Sequence, residues 1–442
     1  MIGLMQIVRF IITIILLSLY FFPFEFTLLP GVNTKMAMAG LGLVIIGVRM
    51  ARERTGEIDR DVFTLSIYAL LVSFIGFISI TYNNTHDTTY ATYVVSMWVW
   101  LSAAFVITRW IKWMYKSISV RLLCLCLTSV CIMQCILALV IEANDGFQLF
   151  VQTYISGFDF VNISSLEEGQ RLYGIGAASD VAGSRFAAIL IIIAYVTKKY
   201  SNNMSRSETI FYIVSFFFIT IVGNMIARTT TVGTIMALLY WGILYVKNYG
   251  LKEILWRRII FVLILIVPIV IILYRNDYDI QQKLRFAFEG FFSLAEKGKW
   301  QTGSNDILLN HMLVFPETLK TWLIGDGYFD NPFHLDPYYM GPNFWGFYMA
   351  TDIGYLRFIF YFGLIGLMLF IVYFFKVASI CVARFDGYKD MFLLLLLFNF
   401  ILWLKVSTDI FLVFALFLCV SREENEKAER CLMINGSGEA ED

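Results

Sequence analysis

The segment RRIIFVLILIVPIVIILYRNDYD, residues 257–279, decides the class of fold. No side chain from Ile259 to Tyr274 is charged, and arginines stand at both ends of the run. A helix of about 20 apolar residues crosses a ~30 Å hydrocarbon core. Runs of the same kind recur on either side of it. They predict about twelve spans, over 4–22, 35–49, 62–80, 91–108, 121–141, 183–197, 209–226, 230–246, 257–274, 352–375, 390–404 and 406–420. Lipid offers the backbone no hydrogen-bond partner, so each span must satisfy its own N–H and C=O groups as a helix. The expected fold is all-α: a polytopic transmembrane bundle with one large periplasmic or extracellular loop between the ninth and tenth spans.

Composition agrees. The chain has 442 residues, 59% of them hydrophobic and 15% charged, against about 25% charged in soluble domains. The first run is read as a span rather than a cleaved signal, because Pro23 and Pro30 follow it without a small-x-small cleavage site. Basic and acidic residues balance at 34 each, and no nucleic-acid partner is expected. Cys124, Cys126, Cys131 and Cys135 fall in the fifth span, where packing is their expected role.

Orientation follows from the Lys/Arg bias of short loops. Arg49, Arg52, Arg54 and Arg60 lie on one face, as do Arg109, Lys112, Lys116 and Arg121. The same face continues with Lys198, Lys199 and Arg206, with Lys247, Lys252, Arg257 and Arg258, and with Lys376, Arg384 and Lys389. The opposite loops, 23–34, 81–90 and 142–182, hold Arg171 as their one arginine. Both termini are thereby expected in the cytoplasm, and the loops 142–182 and 275–351 outside. The organisation predicted is a bundle over 1–274, the large outward loop 275–351, spans over 352–420 and a charged tail, 421–442, that frays in the cytosol.

Charge within or beside a span is costly, so each instance needs a reason. Arg9 and Arg49 lie near cytoplasmic ends and can snorkel. Lys405 and Asp409 have the spacing of a structural ion pair. Arg185, Arg228, Asp352 and Arg357 all sit at the expected outer edge. Either these arginines reach toward lipid phosphates, or they form a site for a pyrophosphate-like anion, which the planar guanidinium meets with two N–H groups. Ala182, Gly183 and Ser184 beside Arg185, and Thr229, Thr230, Thr231 and Gly233 beside Arg228, leave room for a head group.

The large loop combines an apolar periodicity over 305–322 with an aromatic run, HLDPYYMGPNFWGFYM, over 334–349. Aromatic faces can stack on sugar rings, and they also form interfacial belts. His311 and His334 are candidate proton carriers. No metal-ligand spacing, Walker sequence or GxSxG is present, so no metal or cofactor is expected.

Three stretches carry a family resemblance: ARTTTVGT (227–234), WLIGDGYF (322–329) and DIGYLRFIFYFGLIGL (352–367). With the span pattern and the place of the large loop, the chain resembles bacterial O-antigen polymerases and ligases, integral-membrane glycosyltransferases of the cell envelope. The resemblance implies transfer of a glycan from undecaprenyl diphosphate to a sugar hydroxyl of another lipid-linked repeat, at the outer face of the cytoplasmic membrane. Arg228 and Arg185 would hold the diphosphate. Arg285, Arg357 and His334 would contact phosphate or glycan, and Asp352, His311 or Asp326 would serve as base. A flippase and a chain-length regulator are implied partners. The ligase branch carries a histidine just before the tenth span; here the position reads Thr351-Asp352-Ile353, which favours the polymerase branch. Two alternatives are a ligase acting on lipid A-core or protein, and a lipid-linked-oligosaccharide flippase without bond chemistry.

Overall fold

The computed structural model describes residues 2–53, 59–156, 171–201, 203–246 and 253–438. Arg54, Lys247, Lys252, residues 157–170 of the smaller outward loop and the last four residues of the tail lie outside the described residues. Among the described residues the regular structure is helical, apart from a short antiparallel pairing of Glu25–Phe26 with Ile155–Ser156.

Nine helices among the described residues are long and apolar enough to cross a membrane: Leu4–Phe21, Thr34–Arg52, Arg60–Asn83, Tyr93–Tyr115, Val120–Ala143, Ser179–Lys199, Arg206–Ile226, Arg257–Asn276 and Gly354–Arg384. This is a multi-pass, all-α membrane protein. Three further runs read as spans are shorter helices: Thr230–Val246 with 17 residues, Lys389–Leu402 with 14 and Phe411–Leu418 with 8. The chain forms two compact units. Unit 1 comprises 1–38, 103–292 and 416–442, and unit 2 comprises 39–102 and 293–415, so the stretch 275–351 divides at 292/293.

Unit 1 is built around the Ser179–Lys199 helix, whose side chains are buried from Ala182 to Thr197. Small residues let its neighbours approach closely, as in membrane bundles generally. A Cβ on Gly233 would lie 2.3 Å from Ala187 Cα, and one on Gly183 would lie 2.8 Å from Ala227 Cβ. Capping is conventional: Ser205 accepts the Glu208 N–H at 3.1 Å, and Ser119 accepts the Leu122 N–H at 3.1 Å. The tail departs from expectation. It forms a helix, Arg422–Gly438, tied to the unit by a Lys112–Glu424 ion pair. The Val120 N–H adds a bond to Asn425 Oδ1 at 2.9 Å, and the Tyr200 hydroxyl another to Glu429 at 3.2 Å.

Unit 2 is organised by a break in its longest helix. Gly354–Arg384 turns at Gly363, where φ is 70° and ψ −175°, a conformation only glycine adopts without strain. The break frees the carbonyls of Phe360 and Tyr361. Asp326 N–H donates to the first at 2.6 Å, and Gly327 N–H and Ser79 Oγ to the second at 3.1 and 2.6 Å. The Gly325-Asp326-Gly327 turn can dock there because it lacks side-chain bulk: a Cβ on Gly325 would lie 2.4 Å from Tyr361 O. Beneath it, Tyr90, Phe358, Phe362, Phe370 and Trp403 form a continuous aromatic core. The stretch before Phe411–Leu418 is non-helical. Buried Asn399 accepts the Ile410 N–H at 3.1 Å, so protein meets the backbone need that a helix would otherwise satisfy.

Candidate functional site

In unit 1 the chain enters the Ser179–Lys199 helix beside the turn that joins Arg206–Ile226 to Thr230–Val246. The Thr229 hydroxyl donates to Asp180, and Leu172 N–H to Met225 O at 3.1 Å, locking the two segments together. The junction brings two guanidiniums to one ring. Arg228 lies 4.5 Å and Arg171 4.9 Å from the centroid of Phe286, on the Tyr278–Ala287 helix. Arg228 donates to Glu289, its one hydrogen-bond partner among the described residues. Arg171 makes no ion pair among the described residues, and its buried Nε has no hydrogen bond. Burial pulls the Arg171 guanidinium below its ordinary pKa; Asp180 opposes that shift and Arg228 adds to it. A second ion pair, Lys283 to Glu142 at 2.6 Å, holds the Tyr278–Ala287 helix to the Val120–Ala143 helix.

Of the anion-binding residues expected from sequence, Arg228 therefore occupies a cation cluster, but its companion there is Arg171. Arg185 is 6% exposed and lies 5.5 Å from the Phe22 ring centroid. Arg285 is exposed, stacks 5.0 Å from the centroid of Phe292 and donates to the Tyr274 hydroxyl at 3.2 Å.

Unit 2 holds the remaining candidates. Arg357 is 4% exposed, with its guanidinium 3.7 Å and 3.5 Å from the centroids of Phe329 and Phe347. It donates to Ser407 Oγ at 2.6 Å, to Asp330 at 2.8 Å and to Phe329 O at 3.1 Å, and Asp352 stands 3.7 Å away. Burial raises the Asp330 carboxyl above the usual range, while Arg357 draws it back. Asp326 is held by Lys320 at 2.6 Å, Thr321 at 2.8 Å and the Tyr348 hydroxyl at 3.4 Å. His311 is exposed in a π-helical turn, Leu308–Met312, and His334 is exposed on the short Pro332–Leu335 helix.

The third histidine is placed differently. His86 follows the Arg60–Asn83 helix, whose C-cap Asn84 is left-handed, and its Nδ1 lies 3.4 Å from the buried carboxylate of Asp336. Asp336 also accepts the Tyr338 N–H at 2.9 Å and the Tyr328 hydroxyl at 2.8 Å. The Tyr338 bond, with help from Tyr328 and His86, holds this carboxyl below the usual carboxylate range against the effect of burial.

Sequence reading passed over Arg171, Glu289 and His86 as site residues. Arg171 had a signal, being the one arginine of the basic-poor loops. His86 and Asp336 had none, since only folding brings them together. Comparison with family models, with curated proteins and with solved structures finds no match.

Proposed function

We propose that this protein is a membrane glycosyltransferase that moves a glycan from a polyprenyl diphosphate to a sugar hydroxyl, as a polymerase of lipid-linked repeat units. The observation that carries the reading is the Arg171–Arg228 pair on Phe286, in which, among the described residues, Arg171 makes no ion pair and Arg228 pairs with Glu289. Two adjacent, under-partnered guanidiniums suit a diphosphate, which offers several oxygens to planar N–H forks. Glu289, which pairs with Arg228, would have to give way to a bound diphosphate.

In this reaction the donor is already activated. The anomeric carbon's bond to the diphosphate oxygen breaks, and a bond to the acceptor oxygen forms. The arginines stabilise charge as it develops on the departing diphosphate. The topology proposed is about twelve crossings, with both termini in the cytoplasm and the large loop outside a bacterial cytoplasmic membrane, where a flippase supplies repeats and a chain-length regulator sets their number.

The flippase alternative has one observation in its favour. The break at Gly363 and the non-helical stretch before Phe411 resemble the discontinuous helices of transporters. Yet the freed carbonyls are filled by Asp326, Gly327 and Ser79 rather than left open to a substrate. The test is a gel profile of surface polysaccharide from cells lacking the chain, complemented with wild type or Arg228→Ala. Collapse to single repeats, restored by wild type alone, supports the polymerase. Loss of all glycan from the acceptor lipid indicates the ligase, repeats stranded on the cytoplasmic side indicate the flippase, and an unchanged ladder overturns the reading.

A further inference from the structure

We propose that two segments of unit 1, 24–32 and 145–154, form one lipid-seated platform, with apolar side chains that lie in the headgroup boundary of the membrane the protein spans. This inference does not depend on the glycosyltransferase reading.

Connectivity places the platform at the membrane surface. The segment 24–32 joins the spanning helix that ends at Phe21 to the one that begins at Thr34. The helix Asp145–Tyr154 follows the spanning helix Val120–Ala143 after Asn144 alone, whose side chain caps it by accepting the Phe147 N–H at 2.8 Å. The two segments are bonded to each other. Glu25–Phe26 pairs with Ile155–Ser156, Thr27 N–H donates to Tyr154 O at 3.1 Å, and Thr27 Oγ1 donates to Thr153 O at 2.9 Å. Three span ends thus meet in one patch.

That patch presents apolar side chains where a connection through water would carry polar ones. Leu28 is 80% exposed and Leu29 62%, and Phe26 and Val32 are exposed beside them. Gly31, at φ 84°, turns the chain there, and its N–H donates to Glu25 Oε2 at 3.1 Å. The helix Asp145–Tyr154 is two-sided. Phe147, Phe150 and Tyr154 share one face, with successive ring centroids 6.2 and 5.0 Å apart, and Phe150 and Tyr154 are exposed. Asp145, Leu149 and Thr153 follow one another at the four-residue spacing of a different face. On the side toward the protein, Val151 is buried in a cluster with Ile141, Ile155 and Tyr173, and Gln152 donates to the Tyr173 hydroxyl at 3.2 Å. A helix with one exposed apolar face and one polar face suits the interface plane, its apolar side in the acyl boundary.

Lipid is the occupant the chain itself argues for. The Val120–Ala143 helix exposes Ile136, Leu139 and Val140 near its end, and the platform begins about one turn beyond them. Glu25 and Asp145 are the charged residues of the two segments, and neither segment has a lysine or arginine. The seat therefore draws on apolar burial and not on attraction to anionic lipid. Tyr173, which the platform holds, stands two residues after Arg171, so the platform and the arginine pair share one stretch of chain.

The test uses full-length protein in vesicles of phosphatidylcholine. A nitroxide is placed at position 28, 150 or 145, one per sample, through a keto amino acid that leaves the native cysteines unlabelled. Power saturation then compares collision with oxygen, which concentrates in the bilayer, and with a nickel chelate, which stays in water. Labels at 28 and 150 are expected about 5–10 Å below the phosphates, and the label at 145 in contact with the chelate. Leu28 and Phe150 stand on different segments, so if one labelled protein fails to insert, the other decides. Chelate contact at either position equal to that at 145 overturns the proposal. Shielding from oxygen and chelate alike also overturns it, because a second copy or another protein would then cover the platform. Neither result bears on the diphosphate reading, which ligand binding tests separately.

Discussion

Two arginine environments in this protein make an instructive contrast. Arg357, in unit 2, is enclosed between two phenylalanine rings and bonded to a hydroxyl, a carbonyl and a carboxylate. Arg171 and Arg228, in unit 1, share one ring, and among the described residues they form one ion pair between them, Arg228 with Glu289. Where the protein supplies nearly every partner, a structural role suffices; where, among the described residues, it supplies fewer, the proposed role is to meet an anion from outside. The neighbourhood of Arg357 repeats the pattern, since the break at Gly363 leaves carbonyls that the 326–327 turn and Ser79 fill.

The largest effect should come from Arg357. Arg357→Ala removes a buried guanidinium from between two rings and takes the donor from the buried Phe329 carbonyl and the partly exposed Asp330, a change that costs about 2–5 kcal/mol. Thermal unfolding of the purified protein checks it, and an unchanged melting temperature would erase the distinction drawn above. Next come Arg171→Ala and Arg228→Ala. Each should reduce glycan elongation by about 10²–10³-fold while leaving the melting temperature nearly unchanged, as for lost charge stabilisation. Parallel losses of stability would make these arginines structural too.

Gly363→Ala sits third. The new Cβ would meet Leu323 O at 2.1 Å in a left-handed conformation, with strain of about 1–3 kcal/mol. The expected readout is a lower melting temperature and faster proteolysis between residues 319 and 336. The smallest effect is a gain. Glu289→Gln removes the carboxylate that competes for Arg228, so polyprenyl diphosphate should bind about tenfold more tightly, a change of about 1.4 kcal/mol. Weaker binding would mean that Glu289 serves the site rather than occupying it.

Much of the fold was legible because hydrocarbon thickness imposes itself on composition. The predicted 183–197 and 209–226 became Ser179–Lys199 and Arg206–Ile226, the first longer at both ends and the second longer at its start, where Ser205 caps it. The last run, 406–420, did not become one long helix. Hydropathy registers that a segment is buried, not that Asn399 and Arg357 will bond to its unwound part. The tail misled for a related reason: its charges look solvated until Lys112 and the Val120 N–H are placed opposite Glu424 and Asn425. At the candidate site, Arg228 was legible from the small residues around it. The pairing of His86 with Asp336 spans about 250 residues and leaves no local pattern.

Arg171 and Arg228 are proposed to form an anion site for a polyprenyl diphosphate. The most direct measurement is binding of farnesyl diphosphate, with farnesol as control, to the purified full-length protein in detergent, for wild type and for the Arg171→Ala/Arg228→Ala double variant. Wild type should bind the diphosphate and not the alcohol, and the double variant should bind at least about tenfold more weakly at an unchanged melting temperature. Equal binding of the diphosphate by both proteins would contradict it.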